Sequence, residues 1–153
     1  MEKIGVVTIT FNSAKVLPGF FRSLWSQGYS NFTLYIIDNG SNDETKSIIN
    51  FENNNRVVFI ENEQNEGVAK ANNQGIKRAL DEDCDYVLLM NNDVEFEQNL
   101  LTKLVFGLQQ QSASIVTPKM MYYDPVDVIW FAGSWFNKSK GIIPLHRGIN
   151  EKD

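Results

Sequence analysis

The stretch FTLYIIDNGSNDETKSIINFENNNRVVFIE, residues 32–61, decides the fold. It opens with the apolar, β-branched run FTLYIID and closes with a second such run, RVVFIE. Between them, SNDETKSIINF has helical character, and Ser41 with Glu44 predicts a capping box at its start. A strand, a helix and a strand in this order form a right-handed crossover between parallel strands. The chain is therefore predicted to be an α/β protein with a mostly parallel sheet covered by helices.

The same alternation continues on both sides of this stretch. Upstream, KIGVVTIT reads as a strand and AKVLPGFFRSLWSQ as a helix that Asn12 or Ser13 is placed to cap. Downstream, NEGVAKANNQGIKRAL reads as a helix entered through Asn65 and Gly67, and QNLLTKLVFGLQQQ as an amphipathic helix. The segment between these two helices, YVLLMNNDVEF, is predicted to be a central, fully buried strand that ends in polar residues.

The regular pattern breaks after Ser112. SIVTPKMMYY and VIWFAG are each predicted to be strands, whereas the segment from Ser134 to Asp153 has no periodicity and predicts no further element. We expect residues 1–153 to form one domain, because a chain of this length with 42% hydrophobic residues can bury a single core.

Composition excludes several functional classes. With 14 Lys+Arg against 19 Asp+Glu, the net charge of −5 gives no basic surface for nucleic acid. The apolar runs are too short for a transmembrane helix, and the N-terminus lacks the features of a signal peptide. The single Cys84 excludes an internal disulfide and is compatible with a reducing cytoplasm. We expect a cytoplasmic location, with peripheral attachment to the inner face of a membrane as the alternative.

Polar residues gather at the ends of the predicted strands. They are Asn12 after the first strand, Asp38 and Asn39 after the second, Asn65 after the third, and Asn91, Asn92 and Asp93 after the fourth. Taken singly, each group is explained as a helix cap or a turn. In an open parallel sheet, however, these ends share the edge at which ligands bind. Together they predict a binding site.

The side chains at this edge suit a hard cation and a phosphate ester. Asp93 offers a carboxylate, and Mg²⁺ or Mn²⁺ needs only one or two protein carboxylates when substrate phosphates complete its shell. Such a metal would also supply the positive charge that the composition lacks. Lys70, early in its helix, is either a further cation near the phosphates or a solvated surface lysine.

Four segments in order make the chain resemble glycosyltransferase family 2, whose members have the GT-A fold. The segments are VTITFN (7–12), IIDNGSNDET (36–45), NEGVAKANNQGI (65–76) and LLMNNDVEF (88–96), and VIWFAGSWF is similar to a segment of rhamnosyl- and galactofuranosyl-transferases. The resemblance implies a Rossmann-like, three-layer α/β/α domain that binds a nucleotide sugar.

The resemblance also implies roles for individual residues. It places Thr10 to Asn12 against the nucleoside, and Asp38 with Asn39 at the base and ribose. The helix that begins at Gly67, after Asn65, lines the nucleotide cleft, with Lys70 and Asn73 as candidate contacts. Asn91, Asn92 and Asp93 stand where the family has its Asp-x-Asp motif, and Asp93 matches the metal-binding aspartate.

The chain departs from the family pattern in three ways. Asn39 replaces the second residue of a frequent Asp-Asp pair, and Asn91 replaces the first aspartate of Asp-x-Asp, which removes one negative charge from the metal site. The family's catalytic base belongs to a downstream acidic motif, and we expect the chain, which ends at Asp153, to be the donor-binding part of a longer enzyme.

The function expected from the resemblance is metal-dependent, inverting transfer of a sugar to an acceptor hydroxyl. The donor would be a UDP- or dTDP-sugar, and the acceptor a glycan or a lipid-linked glycan in polysaccharide synthesis. The alternatives are a sugar-nucleotide-binding module without activity, a sugar-phosphate nucleotidyltransferase and a receiver-type signalling domain. The chain lacks the glycine-rich basic loop of the second alternative and the phosphoacceptor aspartate of the third.

Overall fold

The computed structural model describes residues 1–52, 54–137 and 143–153, and for residues 135–137 and 143–146 it describes the backbone alone. The chain divides into two compact units, Met1–Asn99 and Leu100–Asp153. That residues 1–153 form one domain stays a prediction.

The first unit contains the alternating elements that the sequence predicts. They are β1 (Ile4–Thr10), α1 (Leu17–Trp25), β2 (Phe32–Asp38), α2 (Thr45–Glu52), β3 (Val57–Glu61), α3 (Val68–Asp81) and β4 (Tyr86–Leu89). The four strands form one parallel sheet in the order β3-β2-β1-β4. This arrangement confirms the α/β class.

Strand order determines which face of the sheet each helix covers. The chain steps from β1 to β2 to β3 in one direction and then returns past β1 to β4. Because the crossovers are right-handed, α1 and α2 lie on one face of the sheet and α3 on the other. Both faces are buried: Val7 and Ile37 on the α3 side, and Val6 and Ile36 on the opposite side, have no exposed surface.

Small residues bring α3 close to the sheet. Ala71, Gly75 and Ala79 form its buried stripe. A Cβ added at Gly75 would collide with Val7 and lie 2.7 Å from Cδ1 of Ile37. Gly75 is therefore needed for close packing of the helix against β1 and β2.

The prediction of a central, fully buried fourth strand is wrong. Within the described residues, β4 pairs with β1 alone and stands at an edge of the sheet. Its four residues are at most partly buried, and Leu89 is 50% exposed. An apolar run of this length does not distinguish a central strand from an edge strand, because both bury much of their surface.

Two predicted helix caps are also wrong. Helix α1 begins at Leu17, and its N-cap residue, Val16, makes no side-chain cap hydrogen bond. Asn12 and Ser13 lie in the preceding loop, where Asn12 has a positive φ of 52°. Ser41 forms no capping box, because its Oγ donates to Asp38, while Asp43 accepts from the N–H of Thr45 at 3.0 Å at the start of α2.

The second unit contains helix α4 (Leu100–Gln110) and two antiparallel strand pairs. These are β5 (Met120–Met121) with β6 (Ile129–Phe131), and β7 (Ser134–Asn137) with β8 (Ile143–His146). The predicted strand SIVTPKMMYY is thus reduced to two residues, and Ile115 in its first half is 87% exposed. The prediction that no further element follows from Ser134 onward is wrong, because β7 and β8 lie in this segment. Residues 138–142 lie outside the described part.

None of the helices in the described part of the chain is both long and apolar enough to span a membrane.

Candidate functional site

A cleft opens at the carboxyl ends of β1 and β4, where the order of strands reverses. Beyond β1 the chain continues to β2 on one side and reaches β4 on the other only after β3 and α3. Such a switch point is where open α/β sheets bind ligands, because the loops that follow the two strands diverge there. The cleft encloses about 320 Å³.

The cleft wall combines apolar side chains with neutral polar ones. Its lining residues are Ile9, Phe11, Ser13, Val68, Asn72, Leu89, Met90, Asn91 and Asn92. None of these residues carries a charge. The cleft is therefore suited to an uncharged group that has both flat apolar surface and hydrogen-bonding atoms, as a nucleoside or a sugar does.

Asn92 anchors the end of β4 to the end of β1. It is 9% exposed, and its Nδ2 donates to the carbonyl oxygen of Ile9 at 2.5 Å and to Oγ of Ser13 at 3.2 Å. Both hydrogens of the amide are thereby used. Asn92 thus joins the ends of the two strands at the cleft that it lines.

The neighbours of Asn92 are exposed to solvent. Asn91 lines the cleft, whereas Asp93 lies outside its lining residues. Asp93 has no hydrogen bond or ion pair with any residue that the structure describes. Its carboxylate is therefore available to a cation or another ligand.

Asp38 is buried at the end of β2 and accepts several hydrogen bonds. Its Oδ1 accepts from Oγ1 of Thr10 at 2.7 Å and from Oγ of Ser41, and its Oδ2 accepts from the N–H of Ser41 at 2.8 Å. Thr10, opposite it on β1, is likewise fully buried. Asp38 therefore holds the β2 end to the β1 end before any ligand binds.

Side chains of the β2–α2 loop and of the first residue of α2 hold the β1–α1 loop through three consecutive backbone N–H groups. The N–H of Asn12 donates to Oγ of Ser41 at 2.9 Å, that of Ser13 to Oγ1 of Thr45 at 2.7 Å, and that of Ala14 to Oδ2 of Asp43 at 3.2 Å. Hydrogen bonds from Thr45 lower the pKa of Asp43. Ser41, Asp43 and Thr45 therefore hold the β1–α1 loop at this edge.

Asn39 belongs to a group of amides between the ends of β2 and β3 and helix α3. It is 3% exposed; its Nδ2 donates to Oδ1 of Asn65 at 3.2 Å, and its Oδ1 accepts from Nδ2 of Asn62 at 2.9 Å. Asn62 and Gln74 exchange two hydrogen bonds of 2.9 Å each. Asn39 is thus held from both sides.

The remaining predicted residues lie at or near the start of α3. Gly67 has a φ of 80° and is the N-cap residue. Lys70 is exposed and forms an ion pair with Glu66 at 2.5 Å, and its hydrogen bond lowers the pKa of Glu66. Asn73 is also exposed. Lys70 and Asn73 do not belong to the cleft lining, so their donor contacts stay predictions.

Comparison with known proteins identifies the family. The model of the family described as Glycosyl transferase family 2 matches residues 5–152. This chain belongs to glycosyl transferase family 2. The switch-point cleft and the polar strand ends are thus features of a family 2 domain, and the resemblance on which the residue roles rest is confirmed.

Two curated relatives represent the sequence similarity. Glycosyltransferase GlyG of Streptococcus pneumoniae is 26% identical over 99% of this chain and 58% of its own length. Poly-beta-1,6-N-acetyl-D-glucosamine synthase of Staphylococcus aureus is 29% identical over 65% of this chain and 24% of its own length. The chain therefore spans about a quarter to three fifths of these relatives.

Solved structures support the fold. The complex of S. aureus TarS residues 1–349 with UDP-GlcNAc is 21% identical with a TM-score of 0.65, over 80% of this chain and 38% of that one. The mannosyltransferase PcManGT of Pyrobaculum calidifontis, in complex with GDP-Man and Mn²⁺, is 20% identical with a TM-score of 0.64, over 70% of this chain and 32% of that one.

Sequence reasoning missed three polar residues at the candidate site. Asn72 lines the cleft, and Asn62 and Gln74 hold Asn39. Helical spacing is the signal that could have found Asn72, because it follows Val68 by four residues and shares its face. Asn62 directly follows the third strand, as the other polar residues follow theirs.

Proposed function

We propose that this chain binds a nucleoside diphosphate sugar and takes part in transfer of the sugar to an acceptor hydroxyl. The observation that carries the proposal is the cleft of about 320 Å³ at the switch point between β1 and β4. Membership of glycosyl transferase family 2 supports the same reading. It also leaves the nucleotidyltransferase and receiver-domain alternatives without support.

The site is divided between two chemical environments. The buried end of β2, with Asp38 and Asn39, would take the nucleoside, and Thr10 with Asn12 would hold the adjoining loop in place. The neutral cleft beside Asn91 and Asn92 would take an uncharged part of the donor. A UDP- or dTDP-sugar is the proposed donor; the relation to TarS, solved with UDP-GlcNAc, supports this class.

The residues present fit a divalent cation that is bound together with the donor. Among the described residues, no three His, Cys, Asp or Glu side chains form a group that could hold an ion. Asp93, which is exposed and has no partner among the described residues, would provide one carboxylate, and the diphosphate would provide the other negative charges. When bound, Mg²⁺ or Mn²⁺ would stabilise charge on the leaving diphosphate as a Lewis acid.

A glycan or a lipid-linked glycan is the proposed acceptor, and polysaccharide synthesis the proposed process. The relation to a poly-N-acetylglucosamine synthase supports a carbohydrate product. Cytoplasmic location and peripheral attachment to a membrane stay predictions.

Calorimetric titration of the chain with UDP, dTDP and GDP, each with and without Mn²⁺, tests the proposal. We expect UDP or dTDP to bind with a stoichiometry of one, and Mn²⁺ to tighten that binding. A specific ligand should also raise the melting temperature in proportion to the logarithm of its concentration. If none of the three nucleotides binds in either condition, the proposal is wrong.

A second titration separates transfer from binding alone. The matching UDP-sugar should bind, and hydrolysis or transfer is measured by release of UDP. Binding without any UDP release, in the presence of Mn²⁺ and a panel of glycan acceptors, would favour the sugar-nucleotide-binding module without activity.

A further inference from the structure

Ser13, in the loop after β1, has a hydroxyl whose two lone pairs are both occupied. The residue is 8% exposed and lines the cleft. Its Oγ accepts from the N–H of Phe11 at 3.2 Å and from Nδ2 of Asn92 at 3.2 Å. A serine hydroxyl has two lone pairs and one hydrogen. The two incoming hydrogen bonds therefore use its whole capacity to accept and leave only the hydrogen.

The direction of both hydrogen bonds is fixed by backbone groups that can act in one way only. The N–H of Phe11 can only donate. The amide of Asn92 faces the carbonyl oxygen of Ile9 at 2.5 Å, and a carbonyl oxygen can only accept, so the atom facing it must be Nδ2. The same Nδ2 meets Oγ of Ser13. Turning this amide over would place two oxygens against each other at Ile9.

The hydrogen of the Ser13 hydroxyl has no acceptor in the described part of the chain. Both hydrogen bonds of its Oγ to described residues are incoming ones. A buried donor without an acceptor costs free energy, because it has given up its hydrogen bond to water. Since Ser13 lines the cleft, an acceptor atom of a ligand in the cleft would satisfy this donor.

The backbone of the same loop has its donors already in use. The four backbone N–H groups from Phe11 to Ala14 donate to side chains of the protein. Successive N–H groups bind a phosphate when they are free to converge on it. These four are occupied, so the loop does not present such an anion site. What it presents to the cleft is the hydroxyl of Ser13.

Asn72 on α3 is a second polar group of the cleft wall that has capacity to spare. It is partly buried and lines the cleft, and it makes no hydrogen bond with any residue that the structure describes. Its amide can both donate and accept. Because the cleft wall has no charged side chain, these two groups suit the hydroxyl or carbonyl oxygens of a sugar better than a diphosphate.

We propose that Ser13 is a binding residue for the sugar of the donor, and that its hydroxyl donates a hydrogen bond to an uncharged oxygen of that sugar. This inference rests on the proposed function, in which the nucleoside lies at the β2 end and the neutral cleft takes an uncharged part of the donor. Since its lone pairs are occupied, the hydroxyl selects for an acceptor. A sugar without an oxygen at that position leaves a buried donor unpaired.

Calorimetric titration with UDP, UDP-glucose and UDP-GlcNAc in the presence of Mn²⁺ tests the inference. The quantity measured is the sugar ratio, the affinity for the tighter UDP-sugar divided by the affinity for UDP. For the wild type we expect a ratio of about ten. In Ser13→Ala the ratio should fall about fivefold, the effect of one neutral hydrogen bond. If the chain binds dTDP and not UDP, dTDP and dTDP-glucose take their place.

Two further variants separate this contact from a general loosening of the loop. Ser41→Ala makes the same chemical change outside the cleft lining and removes the acceptor of the Asn12 N–H. It should weaken UDP and the UDP-sugar equally and leave the sugar ratio unchanged. Ser13→Cys fills the position with a weak donor, so its ratio should fall as in Ser13→Ala. Unfolding midpoints check that each variant is folded, and Ser13→Cys decides if Ser13→Ala is not.

Three results would overturn the inference. The first is a wild type that binds neither UDP-sugar more tightly than UDP. The second is an unchanged sugar ratio in the Ser13 variants, including the case in which both ligands weaken equally. The third is an equal fall of the ratio in Ser41→Ala, which would assign the effect to the loop. In each case UDP still binds the wild type and the proposed function stands; if no nucleotide binds, the proposed function fails as well.

Discussion

The ends of β2 and β4 lie on the same edge of one parallel sheet but hold their polar side chains in opposite states. At the end of β2, Asp38 is buried and accepts three hydrogen bonds. At the end of β4, Asp93 is exposed and has no partner among the described residues. Among the described strands, β2 has a neighbour on each side, whereas β4 pairs with β1 alone. The central strand therefore carries a preorganised part of the site, and the edge strand a part that a ligand must complete.

The largest expected effect comes from removing the buried carboxylate. Asp38→Ala leaves the donors of Thr10 and Ser41 buried without an acceptor, and should lower the free energy of unfolding by roughly 3 kcal/mol. Denaturation in urea measures this change. Asp93→Ala is the matched control at the other strand end and should leave the urea midpoint within error of the wild type. Equal midpoints for both variants would remove the distinction between the two ends.

Asn92 gives a second test of the difference between the two strand ends, because it is buried although it follows β4. Asn92→Ala removes its hydrogen bonds to Ile9 and Ser13 and should cost about 2 kcal/mol of unfolding free energy, at about 1 kcal/mol each. Urea denaturation again provides the measurement. Asn91→Ala, at the exposed neighbouring position, should have no measurable effect. A larger loss for Asn91→Ala than for Asn92→Ala would contradict the assignment of Asn92 as the anchor.

Asp93 should act only when ligand and metal are present together. For the wild type we expect Mn²⁺ to raise the affinity for UDP by about tenfold, roughly 1.4 kcal/mol. In Asp93→Ala this enhancement should disappear, while the affinity for UDP without metal stays unchanged. Calorimetric titration with and without Mn²⁺ measures both quantities. An enhancement of full size in the variant would place the cation elsewhere.

The smallest expected effect is a gain. Asn91→Asp adds a second carboxylate beside Asp93 and should raise the affinity for Mn²⁺ in the absence of nucleotide by about threefold, because ligand charge tunes cation affinity. The wild type should bind Mn²⁺ weakly under the same conditions. Manganese binding is measured by calorimetry, with Asn91→Gln as the neutral control. The same gain in Asn91→Gln would exclude charge as its cause.

Much of the first unit could be predicted from the sequence. Strands β1, β2 and β3 are long apolar runs of β-branched residues, and the helices between them have regular apolar spacing, so local pattern and tertiary structure agree. The position of β4 could not be predicted, because strand order depends on which strands pair and not on the composition of one strand.

The sequence predicted the location of the candidate site better than the contacts within it. Polar residues after each strand indicated the edge at which the cleft opens, since parallel strands all end there. The sequence could not distinguish the buried Asn92 from the exposed Asn91, because the two are chemically identical neighbours. Nor did the sequence indicate Gln74, because its contact with Asn62 depends on the tertiary structure.

The strands of the second unit were poorly predicted for a different reason. Its strands have two to four residues, fewer than a periodic pattern needs to be recognised. Strands β7 and β8 pair with each other in a part of the sequence that has no regular apolar spacing. Such short strands acquire their conformation from pairing, which sequence period alone does not reveal.

The glycine at position 75 has a mechanical consequence. Because a single added methyl group there would collide with Val7, helix α3 has no space in which to move toward the sheet. The backbone amides of β1 and β2 beneath it should therefore exchange with deuterium more slowly than those of β4. Movement of the loops at the carboxyl ends of the strands would then leave this rigid frame in place.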